Sequence, residues 1–139
     1  MPIKSTSFTI ETAGFSDMHD ITERASRFVA STEVKSGALT VFVPGSTAGV
    51  TTIEYEDGAL EDLKNAIARI APEGMHYAHD TRWGDGNGFS HVRAAILGPS
   101  LIVPIIRGRL GLGTWQQIIL VDFDNRPRER SVILQVMGE

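Results

Sequence analysis

The sequence contains no cysteine, and this absence excludes several kinds of site at once. Disulfide bridges, zinc–thiolate centres and thiolate nucleophiles all need a cysteine sulfur. Long apolar runs are also missing, because the longest, at residues 101–106, is interrupted by Pro104 and is far too short to cross a bilayer. No apolar signal segment follows Met1. We therefore expect a cytoplasmic protein that does not associate with membranes.

Basic residues are scarce relative to acidic ones. The chain has 13 Lys and Arg against 17 Asp and Glu, a net charge of −4. Non-specific nucleic-acid binding depends on neutralising phosphates with basic side chains, so we expect no nucleic-acid partner. The 139 residues are the length of one ordinary domain, and a domain of this size folds without a disulfide or a structural metal. We therefore expect residues 1–139 to form a single domain.

The pattern of apolar residues predicts an α+β fold with a largely antiparallel sheet. A strand-like alternation or a buried β-branched run occurs at residues 5–12, 39–43, 50–55, 101–106, 116–123 and 130–136. A helix is expected from residue 21 to a stop at Gly37, with Asp20 as its N-cap. The clearest helix spans residues 57–70 and stops before Pro72, and a short one ends at Leu97 after starting at Gly88 or Ser90.

Three of the four histidines fall within the glycine-rich segment 76–91, which we expect to be a loop. Polar groups concentrated on a loop are typical of binding and catalytic sites. His79 and His91 are the candidate metal ligands, since imidazole binds zinc and other transition metals and Asp80 could ligate or orient it. In the alternative, these histidines cap helices or bond to the backbone. We expect His76 to be a surface residue and His19 to serve local structure near a helix start.

Two further segments offer groups for a small anion. Residues 45–49 follow a strand and could present N–H groups together with the hydroxyls of Ser46 and Thr47, or form an ordinary strand-to-strand loop. Arg82 and Arg109 have the planar geometry that phosphate contacts favour, whereas Arg107 is expected to flank a solvated turn. The Gly-Thr-Trp-Gln run at 113–116 indicates either a pocket wall or a core tryptophan at a strand start.

Several runs together resemble one known family. They are Gly-Asn-Gly-Phe-Ser-His-Val-Arg-Ala-Ala-Ile-Leu-Gly-Pro-Ser (86–100), Gly-Arg-Leu-Gly-Leu-Gly-Thr-Trp-Gln (108–116), Val-Asp-Phe-Asp-Asn-Arg-Pro-Arg (121–128) and Val-Met-Gly-Glu (136–139). In these runs the chain resembles the YjbQ-like family, whose members are often labelled secondary thiamine-phosphate synthase. The resemblance covers essentially the whole chain. It implies a compact α+β domain with a β-sandwich-like sheet arrangement, two main helices and one short helix, assembled as a homotrimer.

The resemblance also implies an activity and a site. The activity joins a pyrimidine pyrophosphate to a thiazole phosphate, and the pocket holds a small phosphorylated ligand and a divalent metal such as zinc or magnesium. The residues that match the family motifs are His79, Asn87, His91, Thr114, Trp115, Gln116 and Glu54. Two positions depart from the family pattern. Gly45 stands where the family has a histidine, so that two imidazoles remain for a metal, and Ile53 stands where the family usually has an asparagine.

Two hypotheses follow. In the first, the protein is a transferase in which His79 or His91 acts as general acid or base beside Asn87 and Glu54. Its ligand would be bound by Ser46, Thr47, Arg82, Arg109, Thr114, Trp115 and Gln116. In the second, the protein is a non-catalytic module that binds a metal or a phosphorylated ligand, and its homotrimer is the functional unit.

Overall fold

A computed structural model describes all residues 1–139 and contains two antiparallel sheets and four helices. In chain order the elements are β1 (Ile3–Thr12), β2 (Asp17–Asp20), α1 (Thr22–Thr32), β3 (Ser36–Phe42), β4 (Ala48–Ile53), α2 (Asp57–Ile70), α3 (Ala78–Trp83), α4 (Gly88–Leu97), β5 (Ser100–Ile106), β6 (Arg109–Leu110), β7 (Gln117–Asp122) and β8 (Arg128–Gly138). The larger sheet has the order β1-β8-β3-β5-β6 and the smaller one β2-β7-β4. The α+β prediction is confirmed, with one helix more than expected. No helix combines the length and the apolar character needed to span a membrane.

The main core lies between the two sheets and under α1. Strand β8 alternates between buried and more exposed side chains, so that Val132, Leu134 and Val136 face inward. They belong to a cluster of 16 buried residues that also includes residues from β3, β4, β5 and β7. Helix α1 contributes Ala25 and Val29 to this cluster, four residues apart on one helical face.

Helix α2 has the predicted bounds, whereas α1 differs from its prediction at both ends. The Glu56 carboxylate caps α2 by accepting hydrogen bonds from the N–H groups of Gly58 and Ala59. In α1 the N-cap position is held by Ile21, and Asp20 lies one residue earlier, where it accepts from the N–H of Thr22. The stop expected at Gly37 was also wrong, because α1 ends at Thr32 and β3 has already begun at Ser36.

Three short elements had no counterpart in the sequence prediction. Strand β2 has weak strand formers and exists because it pairs with β7 at the edge of the smaller sheet. It contains His19, whose Nε2 lies 2.7 Å from Asp17, so His19 serves local structure in a strand that ends just before α1, as expected. Strand β6 has only two residues, Arg109 and Leu110. Helix α3 replaces part of the expected glycine-rich loop, and six residues are too few to show a helical period.

Candidate functional site

Helices α3 and α4 bring His79 and His91 into contact. The two imidazole rings have centroids 4.2 Å apart and are tilted by 38°. The Asp80 carboxylate links the helices, since its Oδ1 accepts a hydrogen bond of 2.8 Å from the N–H of Gly88. A Cβ at Gly88 would lie 2.5 Å from the Cβ of Tyr77, so the close approach of the two segments requires glycine. The predicted pairing of the two histidines in one site is geometrically possible.

Two aspartates converge on His79. Its Nδ1 lies 3.4 Å from Oδ1 of Asp85 and 3.7 Å from Oδ1 of Asp80. Together these three side chains can offer ligand atoms that all lie within 4.8 Å of one another, a set that does not include His91. The sequence indicated Asp80 as a possible ligand, but Asp85 was assigned no role from it. Asp85 lies between Gly84 and Gly86, which adopt φ of +73° and +68° and turn the chain back towards α3. This position between two glycines was the feature of the sequence that could have identified Asp85.

Two buried polar atoms at this place have no hydrogen-bond partner: Nδ1 of His79 and Oδ1 of Asn87. The Asn87 amide is fixed through its other end, because its Nδ2 donates to Oδ1 of Asp124 over 3.2 Å. Buried polar groups are normally satisfied, and one that is not points to a ligand or a water. Nδ1 of His79 and Oδ1 of Asn87 are therefore available to bind a ligand or a water.

The surroundings of His91 lower its pKa. Burial lowers the pKa of His91, and the neighbouring imidazole of His79 lowers it further. The carboxylates of Asp85, Asp124 and Asp80 act in the opposite direction without reversing the shift. At neutral pH the His91 imidazole can therefore accept a proton or bind a metal.

A buried ionic network lies next to the site and contacts Asn87 through Asp124. Asp122 and Asp124 are both fully buried, and Arg130 binds both oxygens of Asp122 at 2.6 and 2.8 Å. Arg130 also donates to Oγ1 of Thr47, which in turn donates to Asp124. The hydroxyl of Thr47, expected to contact a ligand, is thus committed to this network. The sequence assigned no role to Asp122, Asp124 or Arg130, because charged side chains are rarely buried unless paired and the pairing depends on the fold.

The network is expected to make the fold sensitive to acid. Burial alone would raise the pKa of Asp124, but hydrogen bonds from Asn125, Asn87, Arg128 and Thr47 outweigh burial and hold the pKa at about 2. Because the folded pKa lies below the ordinary value of 3.8, the stabilisation is complete above pH 3.8 and is lost as the pH falls towards 2.

Urea unfolding at a series of pH values between 6 and 2 checks this expectation. The midpoint should fall steeply below about pH 4, and Asp124→Asn should have a lower midpoint at pH 6 with a shallower decline in acid. An equal decline in the variant would contradict the assignment to Asp124.

Position 45 borders the same site. Gly45 adopts φ of +115°, a left-handed conformation that side chains rarely adopt, and a Cβ there would lie 3.1 Å from a guanidinium nitrogen of Arg130. Gly45, Ser46 and His91 all line one cavity of about 230 Å³. Any side chain at position 45, including a histidine, would therefore be strained in this backbone conformation.

The remaining candidate residues lie around other cavities. Arg109, Thr114 and Gln116 line one of about 520 Å³ beside α1. Trp115 is 71% exposed, so it is not a core residue, and with Glu54 it borders an acidic cavity of about 570 Å³. The Arg82 side chain is exposed, with its guanidinium carbon 5.7 Å from the ring centre of Trp83. Within one chain the structure thus does not place these residues in one pocket with His79 and His91.

Comparison with known proteins agrees with the fold and with the motifs. A UPF0047 protein from Archaeoglobus fulgidus is 37% identical over 129 residues, which cover 93% of this chain and 98% of that protein. A UPF0047 protein from Synechocystis is 39% identical over 88% of this chain and 84% of the relative. Each carries only this family designation.

Solved structures show the same architecture. A hypothetical protein from Aeropyrum pernix K1 superposes with a TM-score of 0.89 at 34% identity, covering 98% of this chain and 99% of that one. A YbjQ-like protein of unknown function from Sulfolobus solfataricus P2 also gives 0.89, at 29% identity and over 99% of this chain and 100% of that one. The family described as UPF0047 protein YjbQ-like matches residues 6–139. The chain therefore belongs to the YjbQ-like UPF0047 family.

Proposed function

We propose that the protein binds a divalent metal ion through Nδ1 of His79 and the carboxylates of Asp80 and Asp85. The observation that carries the proposal is the spacing of a buried, unpartnered nitrogen from two carboxylate oxygens, 3.4 and 3.7 Å. These distances are too long for good hydrogen bonds. Two ligands that are each about 2.1 Å from a tetrahedral zinc ion lie about 3.4 Å apart. The spacing therefore fits atoms that share a cation better than atoms that bond to each other.

The charges around His79 favour a cation over a free anion. Asp80 and Asp85 form no salt bridge with an arginine or lysine, whereas Arg128 and Arg130 are bound to the buried Asp124 and Asp122. An added phosphate would meet uncompensated negative charge, whereas a divalent cation would neutralise it. Phosphate binding at this point therefore requires the cation first.

The donor set favours zinc over magnesium. Magnesium prefers an octahedral shell of oxygens and water, whereas zinc readily combines imidazole nitrogen with carboxylate oxygen. The His91 ring lies 4.2 Å from that of His79 but outside the three-residue cluster, and the free oxygen of Asn87 can accept a hydrogen bond from a bound molecule. A bound zinc ion would supply Lewis-acid polarisation of such a molecule.

Calorimetric titration of the metal-free protein with zinc, manganese and magnesium chlorides tests this proposal. We expect zinc to bind most tightly and magnesium most weakly, with His76→Ala unchanged because His76 is exposed and outside the cluster. Equal affinity for zinc and magnesium, or no heat with either, would refute it.

The second candidate function is the transferase reaction that the family resemblance implies, in which a pyrimidine pyrophosphate joins a thiazole phosphate. The observation that favours it is that the Ser46 hydroxyl and the His91 imidazole border one cavity. His91 would act as the general base or acid, in keeping with its lowered pKa. Supplying both precursors with Mg²⁺ should then give product that His91→Ala fails to form. Product that persists in His91→Ala would remove this role.

Self-association into a homotrimer is part of the proposal, and the outer face of the larger sheet supports it. Ile3, Met137, Ala38 and Pro104 lie side by side across four neighbouring strands. On the same face Ile102 is 69% exposed. A contiguous apolar area of this kind commonly marks a protein interface.

A glutamate in this face is expected to weaken the assembly. Sedimentation velocity on the wild-type protein should give a mass of about three chains, and Ile102→Glu should shift it towards one chain, because burying an unpaired charge costs several kcal/mol. The control Ala30→Glu places the same charge on an exposed position of α1 and should keep the wild-type mass. A monomeric wild-type protein would contradict the proposal.

A further inference from the structure

The cavity beside His91 has walls of small, apolar residues. Five of the seven residues that line it are Gly45, Ala48, Ala94, Ala95 and Pro99, and the polar ones are Ser46 and His91. One wall belongs to the segment between β3 and β4, and the other to α4 and the residue that follows it. On α4, Ala94 and Ala95 are three and four residues after His91, so all three lie on one helical face. The imidazole therefore borders a space that no larger side chain fills.

Position 45 keeps this space open. With φ of +115°, and with a guanidinium nitrogen of Arg130 3.1 Å from the place where a Cβ would lie, Gly45 cannot be replaced without strain. Arg130 is itself fixed by two hydrogen bonds to the buried Asp122. The buried network thus fixes the guanidinium that lies next to position 45.

The size and lining of the cavity indicate what it accepts. Its volume of about 230 Å³ exceeds that of engineered apolar cavities of about 150 Å³ that hold benzene. The polar side-chain groups of the lining are limited to the Ser46 hydroxyl and the His91 imidazole. None of the seven lining residues is Asp, Glu, Lys or Arg, so the lining itself offers a charged group no ion-pair partner.

We propose that the cavity at Gly45 is a specificity pocket for the uncharged ring or branched aliphatic group of a small molecule whose polar end faces His91. This inference deepens the proposed metal-binding function, since it assigns the ligand class of the same site, but the cavity itself needs no metal. The polar end is a hydroxyl or a similar group that hydrogen-bonds to the His91 imidazole. Ligands with a bulky charged group at this end of the site are disfavoured.

Phenol serves as the probe, with the methyl groups of alanine labelled with carbon-13 and followed by NMR in metal-free protein. Phenol should shift the methyl signals of Ala48, Ala94 and Ala95 and the ring signals of His91, whereas methanol at the same concentration should not. Ala95→Leu fills the cavity from its exposed rim and should weaken phenol binding by about tenfold or more. The matched control Ala30→Leu, on α1, should bind phenol as the wild type does.

The outcomes separate this inference from the metal proposal. If phenol leaves the cavity methyl signals unchanged, or binds equally well to Ala95→Leu, the specificity pocket is refuted whether or not zinc binds. If phenol binds as expected but zinc does not, the metal proposal fails and the pocket stands. Unshifted methyl signals away from the cavity will show that Ala95→Leu retains its fold.

Discussion

Replacing Arg130 with methionine is expected to lower the free energy of unfolding by about 3–5 kcal/mol. Arg130 is 8% exposed and binds both oxygens of Asp122, which is fully buried. Methionine would leave that carboxylate buried without its cation, and hydrogen bonds from Thr12 and from the N–H of Asp124 cannot supply the missing charge. Urea unfolding at pH 7 measures the loss.

The matched control is Arg27→Met. Arg27 pairs with Glu23 one turn earlier on α1, but both side chains are about three-quarters exposed. Exposed pairs of this kind contribute about 0.5 kcal/mol or less, so the control should unfold almost as the wild type does. A comparable loss in the two variants would contradict the structural role assigned to the buried pair.

The second large effect is expected at His79. His79→Ala should weaken zinc binding by about 100-fold or more, because even outer-shell residues of metal sites contribute about 10–100-fold to affinity. The change removes the only nitrogen of the three-residue cluster. Asp85→Asn keeps the shape of the side chain but removes a negative charge, and should weaken binding less than His79→Ala does.

Calorimetry on His79→Ala, Asp85→Asn and the exposed-site control His76→Ala gives the three affinities under one condition. Zinc affinity unchanged in His79→Ala would show that the metal binds elsewhere. Competition with a chelator of known affinity extends the measurement when wild-type binding is too tight for direct titration. Far-UV circular dichroism of each variant shows whether α3 and the rest of the fold are retained.

Most of the regular structure followed from local sequence patterns. The bounds of α2 were predicted correctly because its apolar stripe is complete and Pro72 follows it closely. The four longer strands of the larger sheet, β1, β3, β5 and β8, agreed to within a few residues. The prediction failed where tertiary pairing overrides weak local preference: β2 forms against β7, and α3 is a short helix among glycines.

The candidate site was predicted in part, and the missing part has a physical cause. His79, His91, Asn87 and Asp80 were found because imidazole and polar groups concentrated in one segment are unusual. Asp85 was not assigned a role, since only the fold shows that its carboxylate returns to His79. Asp122 and Asp124 can be buried because Arg130 and Arg128 of β8 pair with them. Neither the amino-acid composition nor the spacing of apolar residues predicts such pairs.

The structure explains more about Gly45 than the sequence did. From the sequence alone, a glycine in place of a histidine indicated only the loss of a possible ligand. The structure shows that this glycine has a left-handed backbone, that a Cβ there would lie 3.1 Å from the Arg130 guanidinium, and that it borders the cavity at His91. The same position therefore connects the buried network to the proposed ligand pocket.

The zinc content of the wild-type protein tests the central claim most directly. Protein purified without a histidine tag, incubated with zinc and then dialysed, would be analysed by inductively coupled plasma mass spectrometry. We expect about one zinc ion per chain, held by the cluster at His79. Zinc no higher than in the dialysis buffer would contradict the account and would leave Nδ1 of His79 without its proposed partner.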